Sequence, residues 1–233
     1  MYLSHFPLPV PTVRTIDEMR SVLFAPTVSH PHSLYSMYRD VAKTETDRSW
    51  LHSHAIRYDI TIIPPAHPGG EYVKTKGHYH PENPAGTRYP ELYEVIDGVA
   101  HFLLQKKTLE HIALVKATKG DIILIPPGYG HVTINPSEKE ALIMSNLVST
   151  AFESEYAFYE TMHGAAWYEL VGNILLHNPH YPEVPSVQEI TAPSSPLKQF
   201  GKKPSLYDYV GDTAIAGLLN HPEKYPAIGL PDV

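Results

Sequence analysis

Between Arg57 and Val148 the sequence breaks into apolar runs of four to eight residues, most of them followed by proline, glycine, aspartate or asparagine. RYDITII, ELYEVI, VAHFLLQ, HIALVKA, DIILI, HVTI and ALIMSNLV follow one another in this way. Runs this short, with turn residues between them, predict an all-β sandwich or barrel. The 23 prolines of the chain work in the same direction, since each removes a backbone donor and interrupts long helices. In RYDITII, Tyr58, Ile60 and Ile62 share one face, and Asp59, Thr61 and Ile63 the other. EYVKTKGHYH reads as the next strand, PENPAGTRYP as a loop of ten residues, and Asp97-Gly98 as a hairpin turn.

The flanks read differently. Residues 1–14 form an extended, proline-punctuated arm suited to lying across a surface, its own or a neighbour's. Thr15-Ile16-Asp17-Glu18 has capping-box spacing and predicts a short helix at about 17–24. Leu34–Val41 predicts an edge strand, and Lys43–Ser53, being polar, a loop. Tyr168–Leu176 predicts one or two further strands. The organisation expected is one barrel domain over 1–181, carrying the arm, and a Pro/Tyr-rich extension over 182–233 packed on or beside it. One helix is expected within the extension, at about 206–220.

Composition removes several function classes. Net charge is −7, and no basic block exceeds two residues, which argues against nucleic acid as a partner. No apolar run approaches the length of a membrane span. With no cysteine there is no disulfide framework, thiolate metal site or cysteine nucleophile. MYLSHFPLPVP lacks the pattern of a signal peptide, so a cytoplasmic location is expected. The informative excess is histidine, at 15.

His78 and His80, two residues apart on a strand, present both imidazoles to one face. Glu91 opens the next strand, and His131 arrives from a later one after a Pro-Gly turn. Three imidazoles and one carboxylate suit a divalent first-row metal, with Fe(II), Mn(II), Zn(II), Ni(II) and Co(II) all possible. The same HxH spacing occurs at His30/His32 and His52/His54. Those pairs have no carboxylate strand beside them and read as solvated loop histidines. His101 and His111 read as ordinary sheet residues.

The company of His78 and His80 resembles the cupin superfamily. Gly120, Pro126, Gly128, His131 and Asn135 meet every position of its second motif, G-x5-P-x-G-x2-H-x3-N, and Glu91 to Gly98 meets the E-x6-G that ends the first. Two departures stand out. The loop between His80 and Glu91 is longer than the general pattern, and Tyr72 occupies a position where that pattern has glycine. The resemblance implies a small β-barrel, or jelly roll, with short peripheral helices and a C-terminal extension.

More narrowly, TKGHYHP, PELYEVIDGVAHFLLQ and IPPGYGHVTIN resemble the cupin-type glucose-6-phosphate isomerases over about residues 15–181. That resemblance implies a metal-dependent aldose–ketose isomerase interconverting glucose 6-phosphate and fructose 6-phosphate in glycolysis and gluconeogenesis, with Fe(II) the favoured metal and a homodimer the expected assembly. By the same resemblance His78, His80, Glu91 and His131 hold the metal, and Thr61, Thr75 and Gly77 contact the phosphate. Tyr93 and Tyr156 contact or close over the sugar. Ser154 stands where the family has a histidine, and Val148 lies near the place of a family tyrosine. Lys76 is expected to face away.

Isomerisation requires a proton to leave C2 of an open-chain aldose and another to arrive at C1. A metal would stabilise the enediolate oxygen, and a carboxylate would carry the proton. Glu91 is the favoured base. A metal-bound carboxylate is a weakened base, so three routes stay open: Glu91 loosens, another group abstracts the proton, or hydrogen passes as hydride between the carbons. Two other readings of the same site are a cupin dioxygenase and a non-enzymatic sugar-phosphate-binding module.

Overall fold

The structure is a computed structural model that describes residues 3–193 and 196–226. The remaining residues of the predicted arm and extension lie outside the described residues. Thr12–Thr15 (β1), Ser33–Tyr38 (β2), Ile56–Ile63 (β3), Glu91–Asp97 (β4), Ile122–Ile125 (β7) and Leu142–Ser149 (β9) form one sheet in the order β1-β2-β3-β9-β4-β7. Val99–Lys106 (β5), Ile112–Thr118 (β6), Tyr129–Ile134 (β8) and Gln188–Thr191 (β12) form a second, in the order β12-β6-β5-β8. Trp167–Leu170 (β10) and Ile174–His177 (β11) make a separate hairpin.

The strands follow the two-residue period of the sequence. Ile63, Val95, Ile123, Ile125 and Met144 from the first sheet meet Phe102, Leu104, Leu114, Val132 and Ile134 from the second in one buried core. Tyr58, Ile60, Leu92, Leu124 and Leu147, of opposite parity, form a second buried cluster on the outer face of the six-stranded sheet. That face would be an exposed apolar patch if nothing covered it. Phe6, Leu51, Leu206, Tyr207, Tyr209, Ile215, Leu218 and Leu219 cover it.

Several local expectations need correction. The polar stretch 43–53 is a helix, Glu45–Ser53 (α2), whose first turn is capped by Thr44 accepting from the Asp47 amide. Only Leu51 of this helix is buried, so no apolar period marked it in the sequence. Strand β2 is internal, because β1 pairs outside it and takes the edge. EYVKTKGHYH is extended but not a regular strand: single bridges join Glu71 to Leu170, Lys74 to Ile134, His78 to His131 and Tyr79 to Glu155. The helix expected at 17–24 is Ile16–Met19 (α1) continued by a 3-10 turn at Arg20–Val22, and the Thr15/Glu18 capping box is present. The helix expected at 206–220 is two pieces, a 3-10 turn at Leu206–Tyr209 and an α-helix (α4) at Thr213–Asn220, with Asp212 capping the second. Another short helix (α3) spans Ala157–Thr161.

Residues after Tyr181 first add a strand, β12, parallel to β6. They then cross to the opposite sheet, where the Leu206 amide donates to Glu94 Oε2 at 2.8 Å and Asn220 Nδ2 donates to the His54 carbonyl at 2.8 Å. Glu94 lies next to Glu91 in parity terms but on the other face, as its odd offset requires. Burial raises the Glu94 carboxyl to about 7, against 4.5 ordinarily, with the Leu206 amide opposing. In the window from about 4.5 to about 7 the folded chain keeps a proton that the unfolded chain releases. Stability from this group is therefore complete below 4.5 and is lost as pH rises toward 7. A Glu94→Gln variant is expected to flatten that slope in denaturant titrations taken across the window. An unchanged slope would show that Glu94 does not titrate against the docked extension.

Among the described residues no helix is long and apolar enough to cross a membrane.

Candidate metal centre and its cavity

The site lies where the two sheets open at one end of the barrel. His131 sits on β8 opposite Leu104 of β5. The His78 segment is laid antiparallel on it: the His131 amide donates to the His78 carbonyl at 3.1 Å, and the return bond is 3.4 Å. Glu91 comes from the other sheet, as the first residue of β4. Its Oε2 lies 3.3 Å from His80 Nε2, 3.3 Å from His131 Nε2 and 3.9 Å from His78 Nε2. One donor atom from each of the four lies within 4.8 Å of the others. No other group of three or more His, Cys, Asp or Glu side chains converges in this way among the described residues.

The donor set fits a divalent cation on a physical criterion. His80 Nε2 and Glu91 Oε2 are buried and have no hydrogen-bond partner among the described residues. Buried polar atoms are seldom left so, and two electron-pair donors facing one point fit a shared cation. The outer bonds orient the rings. His80 Nδ1 bonds the Tyr89 carbonyl at 2.9 Å, so its proton sits there and Nε2 presents a lone pair inward. Asn146 Nδ2 donates to Glu91 Oε1 at 2.8 Å, leaving Oε2 for the centre. Burial, reinforced by the other imidazoles, holds His78 well below the ordinary histidine value, and burial also lowers His131. Both rings are thus neutral ligands at neutral pH. Burial alone would raise Glu91, but the imidazoles of His131 and His80 outweigh it and hold the carboxyl well below the usual range.

The long loop from Pro81 to Pro90 takes part in this support. It carries Tyr89, and its Arg88 Nη1 donates to the His80 carbonyl at 2.5 Å. Asn83 organises the loop by accepting from the Ala85 and Thr87 amides, and donates to Glu223 of the extension at 2.8 Å. Phe152 packs on both the His80 ring and the Tyr89 ring.

Tyr79, between the two histidines, points away, stacks on Tyr159 and receives a bond from Gln105. A Cβ at Gly130 would lie 2.5 Å from its ring, so only glycine admits it. Gly77, expected at the phosphate, is buried and packed: a Cβ there would lie 2.7 Å from Val132. It is not among the residues lining the cavity.

That cavity opens above the four donors. Thr61, Thr75, Tyr93, Tyr156, Ser154 and Val148 line it, as do His78, His80 and Glu91. The Thr75 hydroxyl already accepts from the Thr133 amide at 2.9 Å. Tyr93 Oη lies 3.1 Å from His131 Nε2, and burial together with the Glu91 charge keeps its phenol protonated far above 10. Tyr156 packs against the His78 ring at 5.4 Å. Lys76, expected to face away, lines the cavity and pairs with Glu160, because its segment is not a regular strand. The other histidine pairs stay apart from the centre. His52 bonds Asp40 and His54 bonds the Trp50 carbonyl. His101 pairs with Glu169 in the core, and His111, just ahead of β6, bonds Tyr129 and Gln188.

Sequence reasoning missed Arg14, Tyr35, Arg39, Arg57 and Asn146, which also line the cavity. Two carried a signal. Asn146 is a polar residue inside an apolar strand, and Arg57 shares the parity of Asp59 and Thr61. Arg14 and Arg39 carried none, since only the pairing of β1 and β2 brings them in.

The fold and donor set define the class: a cupin-type barrel with three histidines and one glutamate converging at its open end. Within that class, a family model described as glucose-6-phosphate isomerase matches residues 16–186, and the chain belongs to this family. Among curated relatives, the glucose-6-phosphate isomerase of Thermococcus litoralis is 29% identical over 90 residues, covering 39% of this chain and 45% of the relative. That of Thermococcus onnurineus (strain NA1) is 28% identical over the same shares. The chain spans about half the length of the curated relatives it matches. Among solved structures, vicilin from Corylus avellana (hazelnut) superposes with a TM-score of 0.40 at 18% identity, covering 66% of this chain and 35% of that one.

Proposed function

We propose that the chain is a metal-dependent aldose–ketose isomerase interconverting glucose 6-phosphate and fructose 6-phosphate, with His78, His80, Glu91 and His131 holding one divalent metal. The observation that carries this reading is the cavity's composition. Glu91 is the one carboxylate among its described lining residues, and it lies at the same point as the orphaned imidazole nitrogen of His80. The donors suit Fe(II), which we favour, and Mn(II), Zn(II), Ni(II) or Co(II). Such an ion, when bound, supplies Lewis acidity for the charge that develops on the substrate oxygens.

The chain's own residues do the rest. The Glu91 carboxylate takes the C2 proton and returns it at C1, with Oε1 fixed by Asn146 so that its reach is constant. Tyr93, kept protonated by burial, donates to a sugar oxygen. Thr61, from the six-stranded sheet, and Thr75, from the segment laid on β8, offer hydroxyls to the phosphate, and Tyr156 closes over His78. Gly77 serves the site by letting its segment pack against Val132. The buried floor excludes water that would exchange the travelling proton.

The test is a coupled assay for fructose 6-phosphate isomerisation by protein stripped with chelator and refilled with Fe(II), Mn(II) or Zn(II). Activity that survives complete metal removal sinks the proposal. A Glu91→Gln variant, with metal content measured alongside, is expected to lose about 10²- to 10⁴-fold in kcat, the usual contribution of a general base. Wild-type turnover by that variant would exclude Glu91 as the base.

We further infer a cytoplasmic homodimer. Val10 is 92% exposed and Val13 39%, on and beside the edge strand β1, an apolar strip suited to a second copy. A monomeric mass in solution would overturn it.

A further inference from the structure

A regular strand holds His131, whereas His78 and His80 sit on a segment that has none. Strand β8 pairs with β5 along Tyr129–Ile134, which puts His131 opposite Leu104 and Gly130 opposite Gln105. Isolated bridges join the other segment to its neighbours, from His78 to His131 and from Tyr79 to Glu155. Backbone pairing therefore fixes the two imidazoles less firmly than it fixes His131. Tyr79 lies between them with its side chain on the opposite face, so a slide of its ring carries both imidazoles with it.

The Tyr79 ring is confined across its faces. It stacks on Tyr159, with centroids 5.1 Å apart and planes 22° from parallel, and meets Phe158 at 83° and 5.4 Å. A Cβ at Gly130 would lie 2.5, 2.6 and 2.7 Å from the three carbons at the hydroxyl end of the ring. Distances so nearly equal place Gly130 over a face of the ring, not beyond its edge. Such contacts are non-directional and yield to sliding within the ring plane. A directed bond at Oη removes that freedom, and Gln105 supplies it, with Nε2 donating at 3.0 Å.

Gln105 is itself held from three sides. It is fully buried on β5. The Ala166 amide donates to its Oε1 at 2.9 Å. A backbone amide can only donate, so Oε1 faces Ala166 and Nε2 faces the phenols. Nε2 then bonds Tyr181 Oη at 3.3 Å as well as Tyr79, and Tyr181 donates onward to the Gly164 carbonyl at 2.8 Å. A buried amide with its bonds made specifies one geometry where an apolar contact would admit several.

We propose that Gln105 is a positioning residue for the candidate metal centre. Its bond to the Tyr79 hydroxyl sets the seat of His78-Tyr79-His80, and with it the spacing of both imidazoles from His131. The inference rests on the metal-dependent reading of the four donors, and Gln105 acts through Tyr79.

The experiment is titration of the chelator-stripped chain with Co(II). Visible absorption reports the coordination geometry, and competition with a chelator gives the affinity. Tyr79→Phe keeps the ring and removes only the hydroxyl. It is expected to bind Co(II) about 10- to 100-fold more weakly and with shifted bands, the usual scale for losing an outer partner of metal ligands. Gln105→Met, of similar shape, is expected to do the same. The double variant is expected to lose no more than either single one, because both remove one bond. Ile60→Val, a buried deletion in the cluster on the outer face of the six-stranded sheet, controls for stability alone and is expected to bind as the wild type does. Wild-type affinity and bands in Tyr79→Phe overturn the proposal. So does equal weakening in Ile60→Val, and so does a double variant that loses the sum of both single effects. A wild-type chain that binds no Co(II) removes the metal centre, and this inference with it, so the two failures are told apart.

Discussion

On the proposed reading, a His78→Ala/His80→Ala variant is expected to lose all measurable isomerase turnover and, with it, the thermal stabilisation that divalent metal is expected to give the wild-type chain. The physical reason is the pair of orphaned atoms at the centre. On the proposed reading, a bound ion would satisfy His80 Nε2 and Glu91 Oε2 at once. An ion at 100 times its dissociation constant adds about 2.7 kcal/mol to folding stability. The double variant keeps only Glu91 and His131, on facing sheets, too few donors to hold a first-row metal against water. The fold should persist without the two imidazoles. The bridge between residues 78 and 131 is made by backbone groups, and Tyr79, which anchors the segment to the core, is untouched. The far-UV circular dichroism should therefore match the wild type. Differential scanning with and without Fe(II), Mn(II) or Zn(II) reads the effect. A variant that still gains the wild-type shift in melting temperature, or still turns over, would remove these histidines from the site.

Ending the chain at Pro193 is the second large effect. It is expected to leave a protein that is insoluble or unfolds without cooperativity. The lost segment buries Leu206, Tyr207, Tyr209, Ile215, Leu218 and Leu219 against the outer face of the six-stranded sheet. At roughly 1.5–3 kcal/mol for each large apolar side chain, the loss is on the order of 10 kcal/mol, an upper value because unfolded chains bury some of this area. A whole domain commonly has only about 5–15 kcal/mol of net stability. The truncation would also bare Tyr58, Ile60, Leu92, Leu124 and Leu147 as one patch and strip the Leu206 amide from Glu94. Soluble yield, dye binding to exposed apolar surface and the sharpness of the thermal transition measure the outcome. A soluble truncated chain melting within a few degrees of the full chain would show that the extension is not part of the folding unit. The consequence reaches the site, because the Asn83–Glu223 bond ties the extension to the loop that holds His80.

The four converging side chains were legible in the chain because each belongs to a short motif of fixed spacing. His78 and His80 lead directly into the loop before Glu91, and His131 follows a tight Pro-Gly turn. The strands were legible for the same local reason, since a two-residue apolar period survives wherever a strand has one face in a core. Where the local rule failed, tertiary contact had replaced it. Helix α2 lacks an apolar stripe because only Leu51 enters the core. The segment Glu71–His80 makes single bridges to four different partners, so its alternation breaks at Thr75 and Lys76, which both line the cavity.

By itself, then, the sequence determined a barrel of short strands, from local spacing, and named His78, His80, Glu91 and His131 as one set, from the match of their spacings to the cupin motifs. The tertiary structure alone decided the rest of the cavity wall beyond Thr61, Thr75, Tyr93 and Tyr156. Arg14, Arg39 and Arg57 come from three segments distant in sequence from the four donors, and line one cavity only because β1, β2 and β3 are paired in register. The extension covers the sheet's second face, whose apolar residues read in sequence as an ordinary alternation. Both are decided by which strands neighbour which, a relation between distant parts of the chain that no local spacing encodes.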